Sequence, residues 1–362
     1  MYIGLMSGTS LDGVDAIQVD FSASSPQVLH QYSLPYPEDL RRELLALCSS
    51  SNDEIERMGN ADIMLGRFYA DAVIELLRQS QTPTAQIIAI GCHGQTIRHR
   101  PDQAQPFSLQ IGDPNTLATL TNIPVVADFR RKDMALGGQG APLVPAFHQH
   151  LFAHPQRNRV IVNIGGIANL TLLKQQQVLG FDTGPGNCLL DYWCQLHLHK
   201  AYDKAGAWSA VHEVDSDLLQ QLMAEPYFQR PYPKSTGREL FNPTWLAAHI
   251  KDKNLSAGVI QATLCELSAQ SIAQPIRQLC DQADIYLCGG GAFNQDLVRR
   301  LTRLLPEYRI EETSALGLPA QWVESCAFAW LAKQYMERMA GNCPAVTGAT
   351  RPAVLGGLYL PD

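Results

Sequence analysis

Three glycine-rich turns, each next to an apolar run, constrain the fold of this chain more than any other feature. They span residues 3–13, 160–169 and 285–294 and are therefore spread over the whole length. A strand that ends in glycines exposes backbone N–H groups to a ligand, because no Cβ blocks the approach. One such turn says little, but three predict a single polyanionic ligand held from several sides. A nucleoside triphosphate is the obvious candidate.

Composition limits the possible partners. The 362 residues are 46% hydrophobic and 17% charged, which suits about two globular domains. The net charge of −7 gives no electrostatic case for nucleic acid or an anionic membrane surface, so we expect neither. Nine scattered cysteines without a CxxC pair predict reduced thiols. The sequence shows no signal peptide and no apolar stretch of membrane-span length, so we expect a cytoplasmic protein.

Hydrophobic periodicity predicts an α/β architecture. Strands at 2–6 and 14–21 are followed by helices at 37–48 and 53–79, and a second α/β series begins with a strand at 159–164. The chain end, at 353–356, is expected to return as a strand of the first domain. The helical period directs these apolar residues toward the core: Leu40, Leu44, Leu45, Leu47, Ile55, Met58, Ile63, Leu65, Phe68, Val73, Ile74 and Leu77.

The order of the turns narrows the choice of nucleotide fold. The chain has no P-loop, no dinucleotide fingerprint after its first strand and no protein-kinase signature. A hairpin near the start, a second hairpin in mid-chain and a late Gly-Gly-Gly turn resemble the superfamily of actin-like ATPases, sugar kinases and heat-shock ATPases. The resemblance implies an α/β fold of two actin-like (ribonuclease H-like) domains around a nucleotide cleft. The expected domains are 1–130, rejoined by 350–362, and 131–349.

Six short blocks make the resemblance more specific, namely residues 6–15 (MSGTSLDGVD), 91–96 (GCHGQT), 127–130 (ADFR), 137–145 (GGQGAPLVP), 163–169 (NIGGIAN) and 181–187 (FDTGPGN). In this order they resemble the bacterial 1,6-anhydro-N-acetylmuramic acid kinases. The resemblance covers essentially the whole chain. The acidic residue that the wider superfamily places two positions before the Gly-Thr of the first hairpin is Met6 here.

This resemblance implies an activity. An enzyme of this family uses ATP and Mg²⁺ to open the 1,6-anhydro ring hydrolytically and to phosphorylate O6, giving N-acetylmuramic acid 6-phosphate and ADP in murein recycling. The sequence leaves open a kinase of another amino sugar, or an actin-like ATPase without a sugar substrate. Family likeness also suggests a homodimer, which nothing in the residues shows.

Two carboxylates are the catalytic candidates. Asp182 ends an apolar strand and begins a Gly-Pro-Gly turn, where phosphoryl transfer could use it as a base. It could instead cap its own turn or the next helix. The resemblance implies that it deprotonates a water that attacks the anomeric carbon. Glu324 lies in a mostly apolar helix and could orient that water or the sugar, or simply favour the helix dipole in the first turn.

The remaining candidates bind nucleotide, sugar or metal. The ATP residues are Gly8, Thr9, Ser10, Leu11, Asp12, Gly13, Val14 and Asp15 in the first hairpin, Gly165, Gly166 and Asn169 in the second, and Gly289, Gly290, Gly291 and Asn294 on the nucleoside side. The alternatives are an ordinary hairpin turn for the first group and a helix N-cap for Asn294. The sugar-binding candidates are His93, Gln95, Thr96 and Arg130. The alternatives are an ordinary core or turn histidine for His93 and a surface salt bridge to Asp128 or Asp133 for the arginine. A guanidinium suits the lactyl carboxylate, and the sequence does not separate Arg130 from Arg131 or Arg98. Asp12 or Asp182 could order the metal, directly or through water.

Overall fold

The computed structural model describes residues 1–8, 10–23, 25–175, 177–251 and 253–362. The N-terminal elements are β1 (Tyr2–Met6), β2 (Gly13–Asp20), β3 (Gln27–Pro35), α1 (Glu38–Leu47), α2 (Glu54–Ser80), β4 (Ala89–Cys92), β5 (Gln95–Arg100), β6 (Phe107–Ile111), α3 (Pro114–Thr121), β7 (Val125–Ala127), α4 (Phe129–Ala135) and α5 (Val144–Phe152).

The following elements are β8 (Arg159–Ile164), β9 (Ile167–Lys174), β10 (Gln177–Pro185), α6 (Cys188–Leu198), α7 (Ser216–Met223), α8 (Pro243–Ile250), α9 (Ala257–Leu279), β11 (Asp284–Cys288), α10 (Gln295–Leu304) and β12 (Arg309–Glu312). The chain closes with α11 (Val323–Met336), α12 (Pro344–Thr347) and β13 (Gly357–Tyr359).

The described residues form two compact units, which we call unit 1 (1–151 with 322–362) and unit 2 (152–321). These bounds differ from those expected, because 131–151 and 322–349 belong to unit 1. The reason is that α11 packs on β1 and β4 of the first sheet, so the chain returns to unit 1 well before residue 350.

The described part of unit 1 holds a sheet with the order β13-β7-β4-β1-β2-β3. Strands β1, β2 and β3 are antiparallel neighbours, whereas β4 is parallel to β1 and to β7. The C-terminal strand β13 pairs antiparallel with β7, four residues later in the sequence than expected. The adjacent residues Ala16 and Ile17 point to opposite faces and are both fully buried, so β2 is covered on both sides.

Four apolar side chains that the helical period directed inward lie at the surface of unit 1. They are 51% (Leu45), 83% (Ile55), 39% (Ile63) and 49% (Ile74) exposed. The buried face of α2 instead follows Leu65, Tyr69, Val73 and Leu76, at spacings of three and four residues. A long helix with apolar residues on several sides does not reveal from sequence alone which side is covered.

Unit 2 repeats the arrangement of unit 1. Its sheet has the order β10-β9-β8-β11-β12, in which β8 to β10 are antiparallel neighbours and β8, β11 and β12 are parallel. The strands β3-β2-β1-β4-β7 of unit 1 follow the same scheme. Three antiparallel strands continued by two parallel ones are the ribonuclease H-like arrangement, so the expected α/β fold of two actin-like domains is confirmed.

None of the helices in the described residues combines the length and the apolar character that a membrane span requires.

Candidate active site

The first glycine turn joins β1 to β2 and is held from its side by buried polar groups. The Ser7 hydroxyl donates to the Gly94 carbonyl at 3.0 Å and lies 2.8 Å from the Tyr69 hydroxyl. The Gln95 side-chain amide donates to the Gly8 carbonyl at 3.1 Å, and its Oε1 accepts from the Tyr36 hydroxyl at 3.3 Å. These contacts fix the hairpin backbone before any ligand arrives.

The hairpin residues differ in what they can offer to a nucleotide. Leu11 and Val14 are 2% and 1% exposed in the core, so only their backbone could contact a ligand. The Asp15 carboxylate accepts from the Ser33 hydroxyl at 2.6 Å, and burial raises the pKa of Asp15. Asp12 is exposed and Ser10 is half-buried, whereas Thr9 lies outside the described residues.

Glycines in the three turns fall into two groups, according to whether the protein leaves space for an added Cβ. A Cβ at Gly8, Gly165 or Gly290 would meet nothing closer than 3.7, 3.5 and 3.9 Å respectively. Packing within the protein therefore does not require glycine at these three positions. Close approach of a ligand to the backbone would require it. By contrast, a Cβ would overlap the Leu34 carbonyl at Gly13, the Ile164 carbonyl and the Asn163 side chain at Gly289, and the Ile164 side chain at Gly291.

His93 joins the hairpin to Arg130. Its Nδ1 lies 3.1 Å from the Ser7 carbonyl oxygen, so Nδ1 carries the proton and donates it. Its Nε2 then accepts from Nη2 of Arg130 at 2.8 Å. Burial, together with the charge of Arg130, lowers the pKa of His93 to about 3. The imidazole is therefore neutral, and both ring nitrogens already have protein partners.

The three candidate arginines have different surroundings. Arg98 is paired with Glu54 at 2.6 Å and Arg131 with Asp128 at 2.5 Å. Arg130 donates to the Gly140 carbonyl at 2.8 Å as well as to His93. Of the three arginines, Arg130 is thus the one that is hydrogen-bonded to His93, which contacts the first hairpin. The Thr96 hydroxyl accepts from the Gln110 amide at 3.0 Å, on the neighbouring strand β6.

Helix α11 places Glu324 in unit 1. A Cβ at Gly4 of β1 would overlap the Ser325 carbonyl oxygen, and a Cβ at Gly91 of β4 would overlap that of Phe328. The helix therefore lies directly on the sheet backbone at two glycines. The Phe328 ring centre is 4.7 Å from that of His93, so the first turn of α11, with half-buried Glu324, is near the hairpin support.

In unit 2 the two remaining glycine turns lie at one end of the sheet, next to Asn187. The Asn187 side chain donates to the Ile164 carbonyl at 3.1 Å, and its backbone N–H donates to the Gly165 carbonyl at 2.8 Å. The Gly186 N–H donates to Gly166 at 2.9 Å. Asn294 accepts from the Leu297 N–H at 3.1 Å and caps α10. The helix-cap interpretation of Asn294 is therefore confirmed.

Asp182 lies within β10 opposite Asn169 of β9, next to a bulge that Gly184 completes. The prediction that Asp182 ends the strand is wrong, because pairing with β9 resumes after the bulge and continues β10 to Pro185. Asp182 is 8% exposed. Its Oδ2 accepts from the Thr236 N–H at 3.0 Å, and its backbone N–H donates to the Lys234 carbonyl at 3.2 Å. A Cβ at Gly184 would come within 2.7 Å of the Phe228 ring, so glycine is needed for this packing.

The segment Tyr227–Thr236 around Asp182 was missed by sequence reasoning. A short 3₁₀ turn at Pro226–Gln229 overlaps its start, and the rest of the segment has no regular element. Its only local signal is a cluster of aromatic, proline and basic residues, which has no period. Only the folded structure shows that this segment lies next to Asp182.

The structure therefore distributes the predicted residues between the units. Unit 1 carries the first hairpin, His93, Gln95, Thr96, Arg130 and Glu324, and unit 2 carries Asp182 and the other two turns. Within the described residues no group of three or more His, Cys, Asp or Glu side chains could hold a metal ion on its own.

Two ribonuclease H-like domains with open glycine turns at their strand ends place the chain in the actin-like superfamily of ATPases and sugar kinases. The family profile described as anhydro-N-acetylmuramic acid kinase matches residues 1–361, and the chain belongs to that family. It is thus a sugar kinase and uses ATP.

Two relatives of similar sequence agree with this assignment. The chain is 54% identical to an anhydro-N-acetylmuramic acid kinase of Shewanella oneidensis over 361 residues, which covers 99% of this chain and 98% of the relative. It is 53% identical to that of Shewanella frigidimarina, with the same coverage. Among solved structures, an activator of 2-hydroxyisocaproyl-CoA dehydratase from Clostridium difficile is 12% identical over 93% of this chain and 97% of the other, with a TM-score of 0.48.

Proposed function

We propose that the protein converts 1,6-anhydro-N-acetylmuramic acid, ATP and water into N-acetylmuramic acid 6-phosphate and ADP. The observation that carries this proposal is the family match over residues 1–361. The placement of Asp182, nearly buried within β10 next to the bulge at Gly184 and oriented by a backbone N–H, supports it.

Asp182 is the proposed base. Its carboxylate takes a proton from water while the water oxygen bonds to the anomeric carbon and the bond from that carbon to O6 breaks. The released O6 bonds to the γ-phosphorus of ATP as the bond from that phosphorus to ADP breaks. Glu324 is proposed to orient the water or the sugar.

Arg130 is proposed to bind the lactyl carboxylate of the sugar, because its guanidinium is hydrogen-bonded to His93, which in turn contacts the first hairpin at the Ser7 carbonyl. His93 then acts by orienting Arg130 and the Ser7 carbonyl, with which its ring nitrogens are bonded. Gln95 similarly supports the Gly8 carbonyl. Thr96 stays a predicted sugar contact.

The open glycines Gly8, Gly165 and Gly290 are proposed to donate backbone N–H groups to ATP. Mg²⁺ bound with ATP would neutralise charge on the phosphates. Because this ion keeps several waters and needs only one or two protein carboxylates, Asp12 or Asp182 would suffice without a larger cluster.

We also place the reaction in the cytoplasm. No disulfide links any of the nine cysteines within the part of the chain that the structure describes, which suits a reducing compartment. A homodimer stays a prediction from family likeness.

The test is an assay of ADP release with ATP, Mg²⁺ and the anhydro-sugar, with the phosphosugar identified by mass spectrometry. We expect ADP release that depends on the sugar and a product that contains one added water and one phosphoryl group. Open-ring amino sugars serve as comparison substrates. Phosphorylation of these but not of the anhydro-sugar would favour another amino-sugar kinase, and sugar-independent ADP release would favour an ATPase.

Asp182→Asn should reduce kcat by about 10²–10⁴-fold, because the amide cannot accept the proton, while calorimetry shows unchanged ATP binding. Asp217→Asn, which changes an exposed aspartate of unit 2, is the control and should be fully active. Near-normal turnover of Asp182→Asn would remove Asp182 from its proposed role.

A further inference from the structure

The segment Tyr227–Thr236 makes three hydrogen bonds with Asp182. The Tyr227 hydroxyl donates to the Asp182 carbonyl at 2.6 Å. The Lys234 carbonyl accepts from the Asp182 N–H at 3.2 Å, and the Thr236 N–H donates to the carboxylate at 3.0 Å. Backbone and side chain of Asp182 are therefore positioned by one stretch of chain that lies far from it in sequence.

Of the two basic residues in this stretch, Arg230 is exposed, whereas the side chain of Lys234 is folded inward. The residue is 9% exposed. Its Nζ donates to the carbonyls of Tyr227 and Phe228, both at 3.2 Å. It also lies 4.7 Å from the centre of the Tyr227 ring and 5.6 Å from that of Phe181, the residue before Asp182. Two carbonyl oxygens and two aromatic faces form an environment that suits a cation.

We propose that Lys234 is a positioning residue for the reaction, holding Asp182 as a carboxylate through its charge while Thr236 fixes the direction of the carboxyl group. This inference rests on the proposed role of Asp182 as the base. Lys234 is not assigned any contact with the sugar or with ATP.

Arg230 and Tyr227 are a charged and a titratable group of the same segment. Arg230 lies 5.9 Å from the Tyr227 ring and is exposed. Burial and, next, Arg230 lower the pKa of Lys234, whereas the charge of Asp182 opposes this change. Attraction between opposite charges acts on both partners, so loss of the ammonium should make Asp182 easier to protonate.

The experiment compares pH profiles of kcat/KM for the anhydro-sugar in the wild type and three variants. Lys234→Gln removes the charge but keeps an N–H donor for the two carbonyls. Lys234→Arg keeps the charge. Lys200→Gln removes an exposed lysine of the same unit and is the matched control. ATP binding by calorimetry and thermal unfolding of each variant check that the site and the fold persist.

We expect the acid limb of the Lys234→Gln profile to move up by about one pH unit, because the Lys234 ammonium favours the carboxylate form of Asp182 and its removal raises the pKa of that carboxyl group. The limb should stay in place in Lys234→Arg and Lys200→Gln. A folded and active Lys234→Gln with an unmoved acid limb would overturn the proposal, and so would an equal movement in Lys200→Gln.

If Lys234→Gln does not fold, Thr236→Pro and Thr236→Ala test the orienting contact. Proline removes the N–H that Asp182 accepts from, whereas alanine keeps it. We expect a lower kcat in the proline variant alone, and equal kcat in the two would overturn the proposal.

The Asp182→Asn variant separates this inference from the proposed function. Normal turnover of Asp182→Asn would refute the proposed role of Asp182 as the base. An inactive Asp182→Asn combined with an unmoved limb in Lys234→Gln would refute only the role of Lys234.

Discussion

At the scale of single residues, His93 shows how a structure can change the role that a sequence suggests. The sequence predicts that His93, in the turn Gly-Cys-His-Gly, contacts the sugar, with an ordinary core or turn histidine as the alternative. In the structure its nitrogens are bonded to the Ser7 carbonyl and to Arg130. It therefore supports the residues around it, and the arginine is the better candidate for direct contact.

Arg130→Lys should raise KM for the anhydro-sugar by about 10–100-fold, because a lysine cannot make a bidentate contact with a carboxylate. KM for ATP should change little. Arg131→Lys is the matched control, since Arg131 is paired with Asp128. Steady-state kinetics with each substrate varied would measure this. An equal effect in the two variants would refute the assignment of the carboxylate to Arg130.

Buried neutral histidines should also make stability depend on pH. Burial lowers the pKa of His148 to about 3 from a usual 6.5. The unfolded chain therefore binds the proton first, so the stabilisation is complete above about pH 6.5 and is lost as the pH falls toward 3.

Between pH 7 and pH 5 we expect His148 alone to remove about 2 kcal/mol from the free energy of unfolding. Urea unfolding at both pH values should show a smaller loss in His148→Phe than in the wild type. His30→Phe, which changes an exposed histidine, should keep the wild-type loss. If His148→Phe and the wild type lose the same amount, His148 is not buried in neutral form.

At the scale of elements, the contact between α11 and the first sheet depends on two glycines. The carbonyl oxygens of Ser325 and Phe328 occupy the space that a Cβ at Gly4 or Gly91 would need. This close approach sets the height of α11 above β1 and β4, and with it the position of Glu324 in the first turn of the helix.

Gly91→Ala should lower the free energy of unfolding by about 1–3 kcal/mol, because backbone atoms of α11 must move to admit the methyl group. Gly59→Ala is a useful control, since Gly59 is an exposed residue of α2 with nothing within 4 Å of an added Cβ. In Gly59→Ala we expect the free energy of unfolding to rise by about 1 kcal/mol, because alanine has the higher helix propensity. Urea unfolding of both variants measures the difference. An unchanged free energy of unfolding in Gly91→Ala would show that α11 can shift without cost.

The elements also show where sequence reasoning succeeds. The strands at 2–6 and 159–164 and the helix at 54–80 have strong apolar periods, and their predicted bounds are close to the observed ones. Strand β5 was not predicted, because its Gln, Thr, Arg and His residues have no apolar alternation and pairing with β6 defines it. The segment around Asp182 was missed for the same reason.

At the scale of the whole molecule, the order of the turns was enough to predict two actin-like domains, because each turn follows a strand that has a fixed place in such a sheet. The bounds of the units could not be obtained in this way. They depend on which sheet α11 covers, and the apolar residues of α11 would suit a face of either sheet.

Unit 1 is built from two separate stretches of chain, so the fragment 1–151 should not unfold cooperatively in urea. It lacks α11 and β13, which cover β4 and extend the sheet at β7. The fragment joined to 322–362 through a long Gly/Ser linker should recover a cooperative transition. Equal transitions in the two fragments would show that the C-terminal stretch is dispensable.

This discontinuity has a consequence during synthesis on the ribosome. About 170 residues of unit 2 are made between the two stretches of unit 1. At ordinary elongation rates this takes roughly 10 to 30 seconds, during which the glycine-lined face of β1 and β4 has no helix to cover it. Unit 2 is encoded second but can be completed first. The nascent N-terminal sheet is therefore the part of the protein that most needs protection by a chaperone before translation ends.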